Sequence, residues 1–181
     1  PFDGVLNLGL LFIPFFMLVM LALFSSGVID GIDGLSGGVM ASIFAAYAGI
    51  AFFNNQIDLA AFSATLVGGT LAFLWFNIPP ARFYMSETGM LGLTTTLAVI
   101  VFLTGEVLLL ALIAFPLVAT TFSVIVQVIS KKLRNGKKIF IVAPLHHHFE
   151  AKGWPPYKVT MRYWVLSVVF AVIGMIIALI S

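Results

Sequence analysis

Residues 5–26 read VLNLGLLFIPFFMLVMLALFSS, a run of 22 residues without a charged side chain. A helix that crosses the hydrocarbon core of a bilayer needs about 20 mainly apolar residues. A helix also satisfies its own backbone polar groups in lipid, whereas the two-residue alternation of a membrane β-barrel is absent here. The run therefore predicts a transmembrane helix.

The rest of the chain repeats this pattern between short polar, glycine-rich or proline-rich breaks. Of 181 residues, 61% are hydrophobic and 9% are charged, whereas a soluble domain has about 45–50% apolar and about 25% charged residues. This composition excludes a soluble globular domain, a disordered tail and a nucleic-acid-binding protein. The predicted fold is an all-α, polytopic transmembrane helical bundle of six spans: residues 5–26, 36–53, 59–76, 88–103, 107–128 and 161–180.

The basic residues predict how the bundle is oriented. All nine Lys and Arg residues follow the third span, follow the fifth span or open the sixth. These segments share one side of the membrane, and loops rich in Lys and Arg face the cytoplasm. Both chain ends then lie outside, which is natural if further spans precede the first. We therefore expect residues 1–181 to be a single transmembrane domain, the C-terminal part of a longer protein of about ten spans.

The predicted cytoplasmic loops also hold most of the ionisable groups. The first loop contains Asp30-Gly31-Ile32-Asp33-Gly34, with two carboxylates three residues apart and glycines that let a ligand approach the backbone. Ionisable groups at membrane level are costly and usually functional. The competing interpretation is a glycine-rich turn whose aspartates cap the next helix.

The second loop follows the third span and carries Asn77, Tyr84 and Glu87. Asn77 is suited to capping a broken helix end, and Tyr84 suits either an interfacial aromatic belt or a stacking platform for a flat ligand. Glu87 comes directly before a span, where a negative charge favours a helix N-terminus. The alternative role of Glu87 is that of a metal ligand aimed at a diphosphate.

Three consecutive histidines, His146, His147 and His148, lie in the third loop. Neighbours on a helix diverge by about 100°, so three in a row cannot all face one metal from a helix. In an extended loop, His146 and His148 would share a side. Zinc sites prefer wider spacing, so zinc binding is disfavoured. Histidines that donate to a phosphate or carry a proton are favoured instead. The competing interpretation is a solvated, pH-sensitive loop.

With these three loops the sequence resembles the polyprenyl-phosphate N-acetylhexosamine-1-phosphate transferases. The resemblance is carried by residues 30–35, residues 73–77 with 83–89, and residues 144–150 with 152–154. The third block, which reads PLHHHFE and then KGW, is similar to the branch of the family that transfers phospho-N-acetylmuramoyl-pentapeptide. The resemblance covers essentially the whole chain but only the C-terminal part of the family.

The resemblance implies a magnesium-dependent membrane transferase of peptidoglycan biosynthesis in the bacterial cytoplasmic (inner) membrane, with its active site facing the cytoplasm. The substrates would be UDP-MurNAc-pentapeptide and undecaprenyl phosphate, and the products lipid I and UMP. The expected partners are these two substrates and the bilayer, with a homodimer left open and no nucleic acid.

The resemblance also assigns roles to individual residues. Tyr84 would stack on uracil, Asn77 would contact the nucleotide, and Glu87 stands where the family has a magnesium-binding aspartate. The catalytic candidates are Asp30, Asp33, Glu87, His146, His147 and His148. The candidates for substrate binding are Gly31, Ile32, Asp33, Asn77, Tyr84, His146 and His147. The candidate magnesium ligands are Glu87 and Asp30.

The chain also departs from the family pattern. Gly27 and Phe24 stand where the family usually has Asn, Ser86-Glu87 replaces Gly-Asp, and the family's adjacent aspartate pair, which lies upstream, is absent. The alternatives are therefore another polyprenyl-phosphate sugar-1-phosphate transferase, a transporter that uses the same acids as an ion path, or a non-catalytic membrane half that needs a partner.

Overall fold

A computed structural model describes residues 9–180, and this part of the chain is helical with no strand. The first span, Gly9–Ile29, contains α1 (Phe12–Ser25) between two short 3-10 turns, Gly9–Leu11 and Ser26–Ile29. The remaining helices are α2 (Leu35–Phe53), α3 (Ile57–Asn77), α4 (Ser86–Thr104), α5 (Leu110–Ile113), α6 (Phe115–Leu133), α7 (Leu145–Ala151) and α8 (Pro156–Ile180).

Within residues 9–180, six helical segments are long and apolar enough to cross a membrane, which confirms the predicted number of spans. The second, third and fourth begin and end within two residues of the predicted bounds. The first was predicted from residue 5, and residues 5–8 of that prediction lie outside the described residues.

The prediction for the fifth span was wrong in its bounds. Residues 107–128 were expected to form one helix, but the chain forms the short helix α5 and breaks at Ala114 before α6 begins. Pro116 lies in the first turn of α6, where its missing N–H costs no hydrogen bond. Proline is therefore tolerated at the start of α6 but would interrupt a continuous helix over residues 107–128. The sixth span also begins earlier than predicted, at Pro156.

The helix α2 lies at the centre of the bundle. Of its span 72% is buried within the bundle, compared with 22% for the first, third and last spans. Its side chains Val39, Met40, Phe44 and Tyr47 have no exposed surface. Small residues let membrane helices approach closely, and Gly38 touches the indole of Trp164 on α8 so tightly that no Cβ would fit.

Hydrogen bonds define the two ends of the bundle. At one end, Thr160 Oγ1 donates to the carbonyl of Asp33 over 3.2 Å. At the other end, Tyr47 donates to the carbonyl of Glu106, and Gln56 Nε2 donates to the carbonyl of Leu103. The loops that carry the three sequence blocks lie at the first of these ends.

Candidate functional site

The first block forms a tight turn between the first span and α2. Gly34 adopts a left-handed conformation with φ of 75°, which glycine reaches without steric cost. Ser36 Oγ donates to Asp30 Oδ1 over 2.6 Å, and the backbone N–H of Ala81 donates to Asp33 Oδ2 over 3.1 Å. One aspartate therefore braces the start of α2, while the other joins the first block to the second loop.

Asn77, at the end of α3, links the first and second blocks. Its Oδ1 accepts the backbone N–H of Gly34 at 2.9 Å, and its Nδ2 donates to the carbonyl of Phe83 at 3.0 Å. Only 2% of the residue is exposed. Asn77 thus fixes the two loops relative to each other through both ends of its amide group. The prediction that it also contacts a nucleotide stays a prediction.

The third block is helical: His146, His147 and His148 lie on α7. His146 is fully buried, and neither of its ring nitrogens has a hydrogen-bond partner among residues 9–180. Burial, with the neighbouring His147, lowers the pKa of His146 from 6.5 to about 3. His146 is therefore a neutral imidazole at physiological pH, which is not the solvated, pH-sensitive side chain that a flexible loop would present.

The first block and the third block are in contact at Gly31. A Cβ built on Gly31 would lie 2.5 Å from His146 Nε2 and 2.9 Å from His147 Nε2. Real Cβ atoms essentially never come this close to another heavy atom, so only glycine fits between the Asp30–Asp33 turn and the two imidazoles. The glycine that the sequence indicated as a point of close approach is thus the point where two blocks meet.

The other two histidines have different partners. Nδ1 of His147 lies 2.5 Å from Oε2 of Glu150, three residues further along α7. Nδ1 of His148 accepts the backbone N–H of Ile141 at 3.1 Å. Burial, together with Lys152, lowers the pKa of His148. The three adjacent side chains are therefore chemically distinct.

Aromatic contacts hold α7 against α8. Phe149 stacks on Trp154 with a centroid distance of 4.8 Å, and the guanidinium of Arg162 lies 4.1 Å from the Trp154 ring centroid. Neither Glu150 nor Trp154 received a role from the sequence, although both belong to the block that carries the resemblance. The signal for Glu150 was its spacing of three residues from His147, which brings two side chains together only on a helix.

Tyr84 and Glu87 lie apart from these contacts. Tyr84 is 69% exposed, and Glu87 is exposed in the first turn of α4. The carboxylate of Glu87 makes no hydrogen bond or ion pair within the described part of the chain. Its helix is nevertheless close to the first block, since a Cβ on Gly27 would lie 3.6 Å from Cβ of Met90, one turn beyond Glu87.

The donor groups permit a magnesium site only if the substrate contributes ligands. Residues 9–180 contain no group of three or more His, Asp or Glu side chains that could hold a metal ion by themselves. Magnesium, however, is usually held by one or two carboxylates together with water and substrate phosphates. Glu87 and Asp30 fit that pattern as donors, and the assignment of magnesium to them stays a prediction.

Positive charge surrounds this end of the bundle. All nine Lys and Arg residues lie there: Arg82 follows α3, five residues lie between position 131 and position 138, and the others are Lys152, Lys158 and Arg162. The opposite end holds Asp58 and Glu106. Burial raises the pKa of Glu106. The site end therefore offers an electrostatic environment that favours anionic ligands.

Comparison with known proteins gives a consistent set of relatives. The family model described as glycosyl transferase family 4 matches residues 1–105, which include the first two blocks. The phospho-N-acetylmuramoyl-pentapeptide-transferase of Listeria welshimeri is 40% identical over 182 positions, covering 99% of this chain and 56% of that protein. The protein of the same name from Protochlamydia amoebophila is 41% identical over 160 residues, or 80% of this chain and 39% of that protein. The chain thus spans about half the length of the curated relatives it matches.

Proposed function

The chain belongs to glycosyl transferase family 4, and from this membership we propose that it forms the C-terminal part of a phospho-N-acetylmuramoyl-pentapeptide transferase. The protein would transfer phospho-MurNAc-pentapeptide from its UDP-linked donor to undecaprenyl phosphate. An oxygen of the lipid phosphate would form a bond to the sugar-bearing phosphorus, and the bond from that phosphorus to UMP would break. The products would be lipid I and UMP.

The observation that carries the proposal is the convergence of the three blocks. Gly31 lies against His146 and His147, and Asn77 joins Gly34 to Phe83. The blocks are far apart in sequence, so their meeting at the cationic end of a membrane bundle supports one site for a phosphorylated ligand. A soluble donor and a lipid acceptor can both reach a site at the end of membrane helices.

Individual residues would have the following tasks. The exposed ring of Tyr84 would stack on the uracil, and the Gly31–Asp33 turn would line the nucleotide pocket. Glu87 and Asp30 would hold the magnesium ion, which neutralises charge on the phosphates when it is bound. His146, a neutral imidazole, would add no positive charge near the diphosphate. Phosphoryl transfer depends mainly on such positioning and charge stabilisation.

Orientation follows from the charges. Because the nine cations share the end that carries the site, the positive-inside rule favours a cytoplasmic location for that end. A cysteine introduced at position 147 should resist an impermeant thiol reagent in intact cells, and ready labelling from outside would contradict the proposal.

The transferase activity itself is tested on the purified full-length protein. UMP release and formation of the lipid-linked sugar are measured together with UDP-MurNAc-pentapeptide, undecaprenyl phosphate and Mg²⁺. We expect His146→Ala to lose activity by orders of magnitude, and Asp58→Asn at the opposite end of the bundle to retain it. Equal activity of the two variants would contradict the placement of the site.

A further inference from the structure

We propose that Glu150 is a positioning residue, which holds the proton of His147 on Nδ1 and so directs Nε2 of that ring at the Asp30–Asp33 turn. The orientation of the ring is an inference from the geometry alone. That this turn lines the substrate site rests on the proposed function.

Glu150 and His147 are joined by a hydrogen bond. The two side chains lie three residues apart on one face of α7, with Nδ1 at 2.5 Å from Oε2. An ionised carboxylate has no hydrogen to donate and can only accept. The shared hydrogen therefore belongs to Nδ1 of His147, and whenever the ring carries a single proton its lone pair is on Nε2.

Nε2 of His147 points toward the first block. The imidazole is rigid, so fixing Nδ1 against Glu150 also fixes where the opposite edge of the ring points. That edge faces the first block, since a Cβ on Gly31 would lie 2.9 Å from Nε2 and 3.3 Å from Cε1 of His147. Because Gly31 has no side chain, the Nε2 edge of His147 can lie directly against the backbone of the Asp30–Asp33 turn.

His148 has its proton on the other ring nitrogen. Its Nδ1 accepts the backbone N–H of Ile141, so its proton must be on Nε2. Adjacent histidines on one helix thus hold opposite tautomers, each fixed by a different partner. A hydrogen bond at one ring nitrogen fixes which of the two nitrogens carries the proton. Here Nδ1 donates in His147 and accepts in His148. His148 provides an internal reference for His147.

The tautomers are measured by long-range ¹H–¹⁵N spectra of the full-length protein labelled with [¹⁵N]histidine, at neutral pH. Signals are assigned with His147→Gln and His148→Gln. We expect a proton on Nδ1 of His147 and on Nε2 of His148. Glu150→Ala should shift His147 toward the Nε2-protonated form and leave His148 unchanged, whereas Glu150→Gln, whose carbonyl still accepts from Nδ1–H, should preserve the wild-type pattern. An Nε2 proton on His147 of the wild type, or no change in Glu150→Ala, overturns the proposal.

The consequence for the reaction is measured separately. Glu150→Ala should lower kcat by about ten-fold or more, the scale seen for partners that orient a functional histidine, with a smaller change in KM for the donor. Glu150→Gln should recover most of the activity, and Asp58→Ala serves as the carboxylate control. An unchanged kcat in Glu150→Ala overturns the positioning role. If the wild type shows both expected tautomers yet transfers no phospho-sugar, the tautomer assignment is supported and the proposed function is contradicted.

Discussion

Gly31 lies so close to His146 that a Cβ at position 31 would come 2.5 Å from Nε2 of the imidazole. Because His146 is fully buried on α7, the ring has little room to move away. This contact joins the first sequence block to the third, and it makes position 31 sensitive to the addition of one methyl group.

Gly31→Ala should therefore lower both stability and activity. Overpacking of a filled site costs about 1–3 kcal/mol, and the displaced rings would no longer face the substrate correctly. Thermal unfolding and transferase activity of the full-length protein measure the two effects. Gly92→Ala is the matched control, since a Cβ there meets nothing within 4 Å. Similar behaviour of the two variants would show that the Gly31 contact is unimportant.

Asn77→Ala should loosen the connection between the first and second loops. The buried N–H of Gly34 would lose its acceptor, and an unsatisfied buried donor costs about 1–3 kcal/mol. We expect a lower thermal unfolding temperature together with a higher KM for the UDP-linked donor. The control is Asn54→Ala, since Asn54 is exposed at the other end of the bundle. An unaltered unfolding temperature in Asn77→Ala would contradict the linking role.

Tyr84→Ala should weaken binding of the donor without affecting folding. The ring is 69% exposed, so its loss removes little packing, whereas stacking on a base contributes about 1–3 kcal/mol. Binding of the donor is measured by calorimetry, with Tyr84→Phe expected to retain affinity. Tyr157→Ala is the matched control, because Tyr157 is also an exposed tyrosine, 62% exposed at the start of α8. Equal affinity of wild type and Tyr84→Ala would refute the assignment to uracil.

Glu87 tests the predicted magnesium site against simple stabilisation of a helix. Losing a favourable charge at a helix N-terminus costs about 0.3–1 kcal/mol, whereas losing a metal ligand should reduce turnover by orders of magnitude. Turnover of Glu87→Gln and Glu87→Asp is followed across a magnesium titration, with thermal stability alongside. We expect the Gln variant to be nearly inactive and the Asp variant to remain active.

Asp58 provides the comparison for Glu87, because it is also an acidic residue in the first turn of a spanning helix but lies at the opposite end. Asp58→Asn should change stability slightly and turnover hardly at all. If Glu87→Gln behaved like Asp58→Asn at every magnesium concentration, Glu87 would be a helix-stabilising residue and no metal ligand.

The number of spans could be predicted because run length and apolarity are properties of local sequence. The break before α6 was missed because residues 107–128 are apolar on both sides of it, and Pro116 alone indicated where a helix begins. The pattern of apolar residues does not reveal such a break, because the residues before and after Ala114 are both mainly apolar.

The residues of the candidate site could be identified, but not their arrangement. Asn77 was expected as a helix cap or nucleotide contact. Its partner Gly34 is brought to it by packing of α2 against α3, and its partner Phe83 by the turn of the loop after α3. The histidines could be interpreted as helical or extended, because seven residues are too few for a periodic signal. Their helical state reveals the Glu150–His147 pair, which spacing alone left undetected.

The most direct test of the account is to compare donors in the transfer reaction catalysed by the purified full-length protein. UDP-MurNAc-pentapeptide and UDP-GlcNAc are supplied separately with undecaprenyl phosphate and Mg²⁺, and the lipid-linked product and UMP are quantified in each case. We expect stoichiometric UMP and lipid-linked sugar from the muramoyl-pentapeptide donor, and little product from UDP-GlcNAc. Efficient transfer from UDP-GlcNAc, or no lipid-linked product from either donor, would contradict it.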